Sequence, residues 1–130
     1  MRILVVDDMT TMRHVMINML RNVGFSHIDE ATDGKQALTL LGKRKYSLVI
    51  SDLNMPFVDG LTLLDKIRAT PQLAKMPVLM VTCENTKERV QEILLHKVDG
   101  FVIKPFNMAT LIKQLQRIKI LDANGQLCDM

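Results

Sequence analysis

The chain has 130 residues, is 48% hydrophobic and 24% charged, and carries a formal net charge of +3, which suits one compact domain and excludes the dense basic field of a dedicated nucleic-acid binder. Its two cysteines, Cys83 and Cys128, are far apart and without a neighbouring Cys or His at ligand spacing, so a disulfide framework is not expected and a reducing, cytosolic setting fits best. No apolar run approaches the ~20 residues of a membrane span, and the apolar stretch of MRILVVDD is too short for a signal peptide.

Ile3–Val6 is an unalternating apolar run that stops at Asp7-Asp8. Met12, Val15, Met16, Met19, Leu20 and Val23 then recur on one helical face, with Thr10 or Thr11 as the predicted cap and Gly24 as the stop. Residues 26–31 form a weak predicted strand, and Asp33-Gly34 turns into a helix with Ala37, Leu38 and Leu41 inward. Strand three is SLVIS, residues 47–51, and Asp59-Gly60 opens a third helix by a turn or cap. PVLMV, residues 77–81, ends at Thr82, a helix follows over 86–95, residues 98–103 form strand five before Lys104-Pro105, and Met108, Leu111, Ile112, Leu115 and Ile118 stripe a fifth helix. Strands apolar on both faces that alternate with amphipathic helices imply a parallel sheet covered on both sides, joined by right-handed crossovers. The segment after Lys119, containing DANG, reads as a frayed tail.

In an open α/β sheet the carboxyl ends of the strands share the edge where ligands bind. Asp7, Asp8, Asp52, Thr82 and Lys104 stand at those ends. Carboxylates that close raise one another's pKa, each unit being worth ~1.4 kcal/mol. Lys104 offsets one charge, and a hard divalent cation such as Mg²⁺, held by few carboxylates and several waters, offsets more. A carboxylate in that setting is a nucleophile for in-line attack on a phosphoryl group. His14, His27 and His96 have no partner at ligand spacing and read as surface or structural residues; Lys43-Arg44-Lys45 reads as a solvated loop.

The stretches ILVVDD with TTMR after it, SDLNMPFVDGL, PVLMVTCE and GFVIKPF, in this order and spacing, resemble the receiver domain of two-component response regulators, most of all its stand-alone chemotaxis members. The resemblance implies a doubly wound five-stranded parallel sheet of order 2-1-3-4-5 with five helices, a flavodoxin-like (βα)5 fold, with residues 1–120 as the receiver and 121–130 as a tail. It implies Asp52 as phospho-acceptor, Mg²⁺ on Asp8 directly, on Asp7 mainly through water, on Asp52 and on the backbone carbonyl of Asn54. Thr82 and Lys104 would contact the phosphoryl group, Lys104-Pro105 would be cis, and Asn54 and Glu84 would flank the group and influence its hydrolysis. A histidine kinase would be the donor. The surface of helix four, strand five and helix five would meet a downstream protein target such as the flagellar motor switch, in the cytoplasm and as a monomer, with no nucleic acid or membrane bound. Three positions depart from the chemotaxis members: Leu53 replaces a tryptophan, Phe101 an inward-turning tyrosine, and Gln114 a lysine of the output face. Phe101, lacking a hydroxyl to satisfy, is expected to favour the inward position.

Three other readings compete. The same module can serve another two-component pathway or be the receiver of a longer transcription regulator. A haloacid-dehalogenase-type aspartyl-phosphate hydrolase also uses Asp, Thr, Lys and Mg²⁺, yet Asp52-Leu53-Asn54 lacks its second acid. A binding module that has lost phosphorylation is opposed by the intact Asp7, Asp8, Asp52, Thr82 and Lys104.

Overall fold

A computed structural model describes residues 1–55, 57–83 and 85–128. In chain order the elements are β1 (Arg2–Val6), α1 (Thr10–Val23), β2 (His27–Ala31), α2 (Gly34–Lys43), β3 (Leu48–Asp52), α3 (Gly60–Ala69), β4 (Val78–Thr82), α4 (Lys87–Leu95), β5 (Gly100–Ile103) and α5 (Met108–Arg117). All strand pairs are parallel and the sheet order is β2-β1-β3-β4-β5, the order expected.

Strand alternation builds two cores, one on each face. Ile3, Val5, Ile50 and Val102 point to the side of α1 and α5, where Leu20, Leu111 and Leu115 meet them. Leu4, Val6, Val49 and Met80 point to the opposite side, where Leu41, Leu64, Ile67 and Ile93 cover them. Fully burying a leucine contributes about 1.5–3 kcal/mol, so the zero exposure of Leu111 and Leu115 is enough to fix α5 against the sheet.

Caps set where the helices start. Asp33 accepts the Gln36 N–H at 2.8 Å, Asp59 the Thr62 N–H at 2.8 Å, and Asn107 the Thr110 N–H at 2.9 Å, each satisfying a donor the helix leaves open. The predicted threonine cap of α1 is not formed. Met9 holds the cap position without a side-chain bond, and both threonines are already helical. Asp7 substitutes, its Oδ1 accepting the Met9 N–H at 2.9 Å. At the other end, Gly24 adopts φ 128° and the Phe25 N–H donates to Leu20 O at 3.1 Å, a Schellman closure that needs glycine.

Two expectations are corrected. Val15, expected to face inward, is 45% exposed, while Arg13 and Ile17 are buried: the inward stripe of α1 is rotated toward Arg13, which has polar partners at the sheet edge. The segment after Lys119 is not frayed over its described residues. Ile120 and Leu121 are buried to 1% and 2% exposure. The chain then reverses through Asp122–Gly125, with Asp122 Oδ1 accepting the N–H groups of Asn124 and Gln126 at 2.9 Å each. Leu127 returns to bridge Leu121, and the Cys128 N–H donates to Ile120 O at 3.0 Å. Two apolar residues find room beside Leu115, and an Asx turn with Gly125 at φ 77° makes the return possible.

Candidate functional site

β1 and β3 lie side by side with Val6 opposite Ser51, so Asp7 and Asp52 leave neighbouring strand ends at the same level. One oxygen from each of Asp7, Asp8 and Asp52 lies within 4.8 Å of the others. Lys104 reaches the same point from the end of β5, its Nζ 3.5 Å from Asp7 Oδ2 and 3.6 Å from Asp52 Oδ1. Asp7 is buried and Asp8 exposed, so the cluster has a closed side and an open one.

Burial pushes the Asp52 carboxyl above the ordinary carboxylate value. Lys104 and the Leu53 N–H, which donates to Oδ1 at 2.9 Å, oppose that rise, while Asp7 and Asp8 add to it. Asp7, Asp52 and Lys104 also line a mostly apolar cavity of ≈ 200 Å³ with Met12, Met16 and Phe106. Three carboxylates and one ammonium leave two negative charges uncompensated, and their oxygens form a donor set of the kind a hard divalent cation takes with water completing its shell. The residues present fit Mg²⁺.

Thr82 is fully buried at the end of β4, and its carbonyl accepts the Lys104 N–H at 2.7 Å. The Lys104-Pro105 peptide is cis, as the resemblance implied. Asn54 is exposed in the loop after β3. Glu84 lies outside the described residues. Phe101 is half-buried, packed on the α3–α4 side of the sheet and facing a groove that includes Ile103, Pro105 and Phe106. Cys83, next in the chain after Thr82, is exposed. His96 is structural: its Nδ1 sits 2.8 Å from Asp65 Oδ1 and ties α4 to α3.

Sequence reasoning missed Arg13. It is 8% exposed, donates from Nη1 to the Asp7 carbonyl at 2.9 Å and from Nε to Glu30 Oε1 at 2.7 Å. It thereby fixes the backbone that aims Asp7 and Asp8. The motif TTMR contained it, yet an arginine on a helix signals nothing until its carbonyl partner is known.

A β3 that ends in a carboxylate, with acids just after β1 and a lysine just after β5 at the same edge of a sheet of this order, is the arrangement of a signalling receiver module. The chain belongs to that family: residues 3–116 match the response regulator receiver domain. Chemotaxis protein CheY-3 of Vibrio cholerae is 44% identical over 118 residues, covering 91% of each chain. The crystal structure of Vibrio cholerae CheY4 superposes with a TM-score of 0.82 at 35% identity, over 90% of this chain and 97% of that one. The receiver domain of a Pseudomonas aeruginosa sensor histidine kinase, solved with a magnesium ion coordinated in its active-site cleft, has a TM-score of 0.81 at 28% identity, covering 89% of this chain and 94% of the other. This is a family of regulators, which displaces the hydrolase alternative.

Proposed function

We propose that the chain is a phosphorylation-activated response regulator whose Asp52 accepts a phosphoryl group from a histidine kinase. The observation that carries the reading is the meeting of Asp52 with Asp7, Asp8 and Lys104 at one strand edge. Asp7, Asp8, Asp52 and the backbone carbonyl of Asn54 would hold Mg²⁺, which when bound neutralises carboxylate charge and stabilises the oxygens of the group being transferred. The Asp52 oxygen forms its bond to phosphorus as the P–N bond of the phosphohistidine breaks, and the departing imidazole nitrogen takes up a proton. Lys104 pairs with a phosphoryl oxygen, and Thr82 turns its hydroxyl to another. By likeness to the family, Asn54 and Glu84 influence how fast water removes the group.

The output is a population shift. A doubly charged group on Asp52 favours whichever arrangement brings Thr82 and Lys104 closest, and the surface of α4, β5 and α5, with Phe101 as its switch residue, follows. Similarity to chemotaxis proteins supports a flagellar motor component as the downstream partner of a monomeric, cytoplasmic regulator.

The experiment is beryllofluoride binding followed by fluorine NMR. The fluoride complex, a mimic of the phosphoryl group, should bind the wild-type chain only with Mg²⁺ present, and Asp52→Asn should bind none. Binding that persists in Asp52→Asn would place the acceptor elsewhere.

A further inference from the structure

Phe57, in the loop between β3 and α3, is 90% exposed, the most exposed large apolar side chain among the described residues. Its backbone sits at φ 66°, the left-handed region that glycine and asparagine enter readily and a bulky residue does not. Two separate costs fall on one residue. At that exposure the ring takes little part in holding the loop. Val58 and Met55 pack against the α2–α4 core, and Val58 closes over Gly34, where any side chain would strike it. The Gly60 N–H donates to Leu53 O at 2.8 Å, and Asp59 caps α3. These contacts hold the loop and leave Phe57 displayed at its tip. Asparagine at this position would relieve the strain and the exposure together.

Strain kept in the loop that follows a reacting group points to a residue used for something other than stability. The loop leaves β3 directly after Asp52. A protein that brings a phosphohistidine within bonding distance of Asp52 must therefore press against this sheet edge. Two more exposed apolar residues stand around it, Met9 at 56% before α1 and Val15 at 45% on α1. A charged centre rimmed by apolar side chains suits a protein donor, whereas a small acyl phosphate has no surface to lay on the rim. Exposed aromatic rings are the residues that anchor such contacts, because they bury much area at little cost in conformational freedom.

We propose that Phe57 is a docking anchor for the histidine-phosphorylated donor, its ring entering an apolar recess beside the phosphohistidine, and that it favours protein donors over small acyl phosphates. The proposal rests on Asp52 being the acceptor, so the test separates the two. A radiolabelled, autophosphorylated histidine kinase that transfers to the wild-type chain is the probe, with acetyl phosphate as the small donor. Phe57→Asn should lose at least about tenfold in transfer efficiency from the kinase, through a raised KM, while labelling by acetyl phosphate stays within about twofold and the thermal midpoint rises as the strain is removed. Phe57→Tyr should keep kinase transfer. Equal kinase transfer to Phe57→Asn and wild type, with acetyl phosphate labelling both, overturns the anchor and leaves Asp52 as acceptor. A lowered midpoint in Phe57→Asn also overturns it, because the ring would then be packing within its own chain. Kinase transfer to Asp52→Asn equal to that of the wild type overturns the acceptor reading, and the anchor with it.

Discussion

Asp52 sits in the site at a cost to the fold. Burial and the neighbouring Asp7 and Asp8 outweigh the help of Lys104 and the Leu53 N–H, so its folded pKa lies above the ordinary carboxylate value. A raised carboxyl pKa means that stability is favoured while the group is protonated and is lost as pH rises through the folded value. At neutral pH the ionised Asp52 is thus a burden in the metal-free protein. Asp52→Asn should raise the thermal midpoint at pH 7 without Mg²⁺, and the gain should shrink as pH falls toward the ordinary carboxylate range. Saturating Mg²⁺ should narrow or reverse the difference, since the wild type alone gains the full ligand set. Scanning calorimetry of both proteins, with and without the ion, checks all three statements.

Asp29 and Tyr46 show the opposite balance at the other end of the sheet. Burial alone would push the Asp29 carboxyl up. The Tyr46 hydroxyl, which donates to Oδ2 at 2.6 Å, and the guanidinium groups of Arg44 and Arg2 hold it below the ordinary carboxylate value. Its contribution to stability is present above the unfolded pKa and fades as pH falls through the folded one. Tyr46 is pushed up to about 12, by burial first and then by Asp29. Its contribution is whole below the unfolded value of 10.0 and is lost as pH climbs from there through the folded value. Tyr46→Phe should cost about 1 kcal/mol in urea unfolding at pH 7, because Asp29 keeps both arginines.

Among the elements, legibility followed burial. β1, β3 and β4 were plain as apolar runs because both their faces are covered. β2, HIDEA, is an edge strand with only Ala31 fully buried, so its pattern was weak. β5 begins at Gly100, later than Val98 suggested. Asp99 is drawn off to accept the Val78 N–H at 2.7 Å and to pair with Arg68 at 2.7 Å, which delays the ladder. Arg68 itself was invisible in the sequence. Its donors also reach the carbonyls of Met76 at 2.6 Å, Ala74 at 3.3 Å and Lys97 at 3.0 Å, partners that only the tertiary fold supplies. It clamps α3 to the segments entering β4 and β5. Arg68→Ala should cost ~2 kcal/mol and speed hydrogen exchange at residues 97–99 and 76–78 before the rest of the sheet. The strap after α5 was misjudged for a similar reason: DANG signals a turn, but only the packing beside Leu115 tells that Leu121 has a place to go. Leu121→Ala should cost about 2–4 kcal/mol, measurable as a shift in denaturation midpoint at unchanged slope.

At the scale of the whole molecule, the proposed acceptor site and the proposed output face share one sheet. β4 and β5 end at the site, with Thr82 opposite Ile103 and Met80 opposite Phe101 in register. On the proposed function, a change at Thr82 or Lys104 would reach Phe101 through bonded neighbours, in place of a distant relay. The site residues at strand ends could be read from the sequence because topology alone gathers them at one edge. The φ of Phe57 and the reach of Arg13 could not, since each depends on how loops and helices settle around the sheet.

The most direct test of the account is intact-mass measurement after incubation with acetyl phosphate. With Mg²⁺, the wild-type chain should gain the mass of a single phosphoryl group, with the label on Asp52, and should gain none once the ion is chelated. A chain that stays unmodified with Mg²⁺ present, or that is labelled equally in its absence, would contradict it.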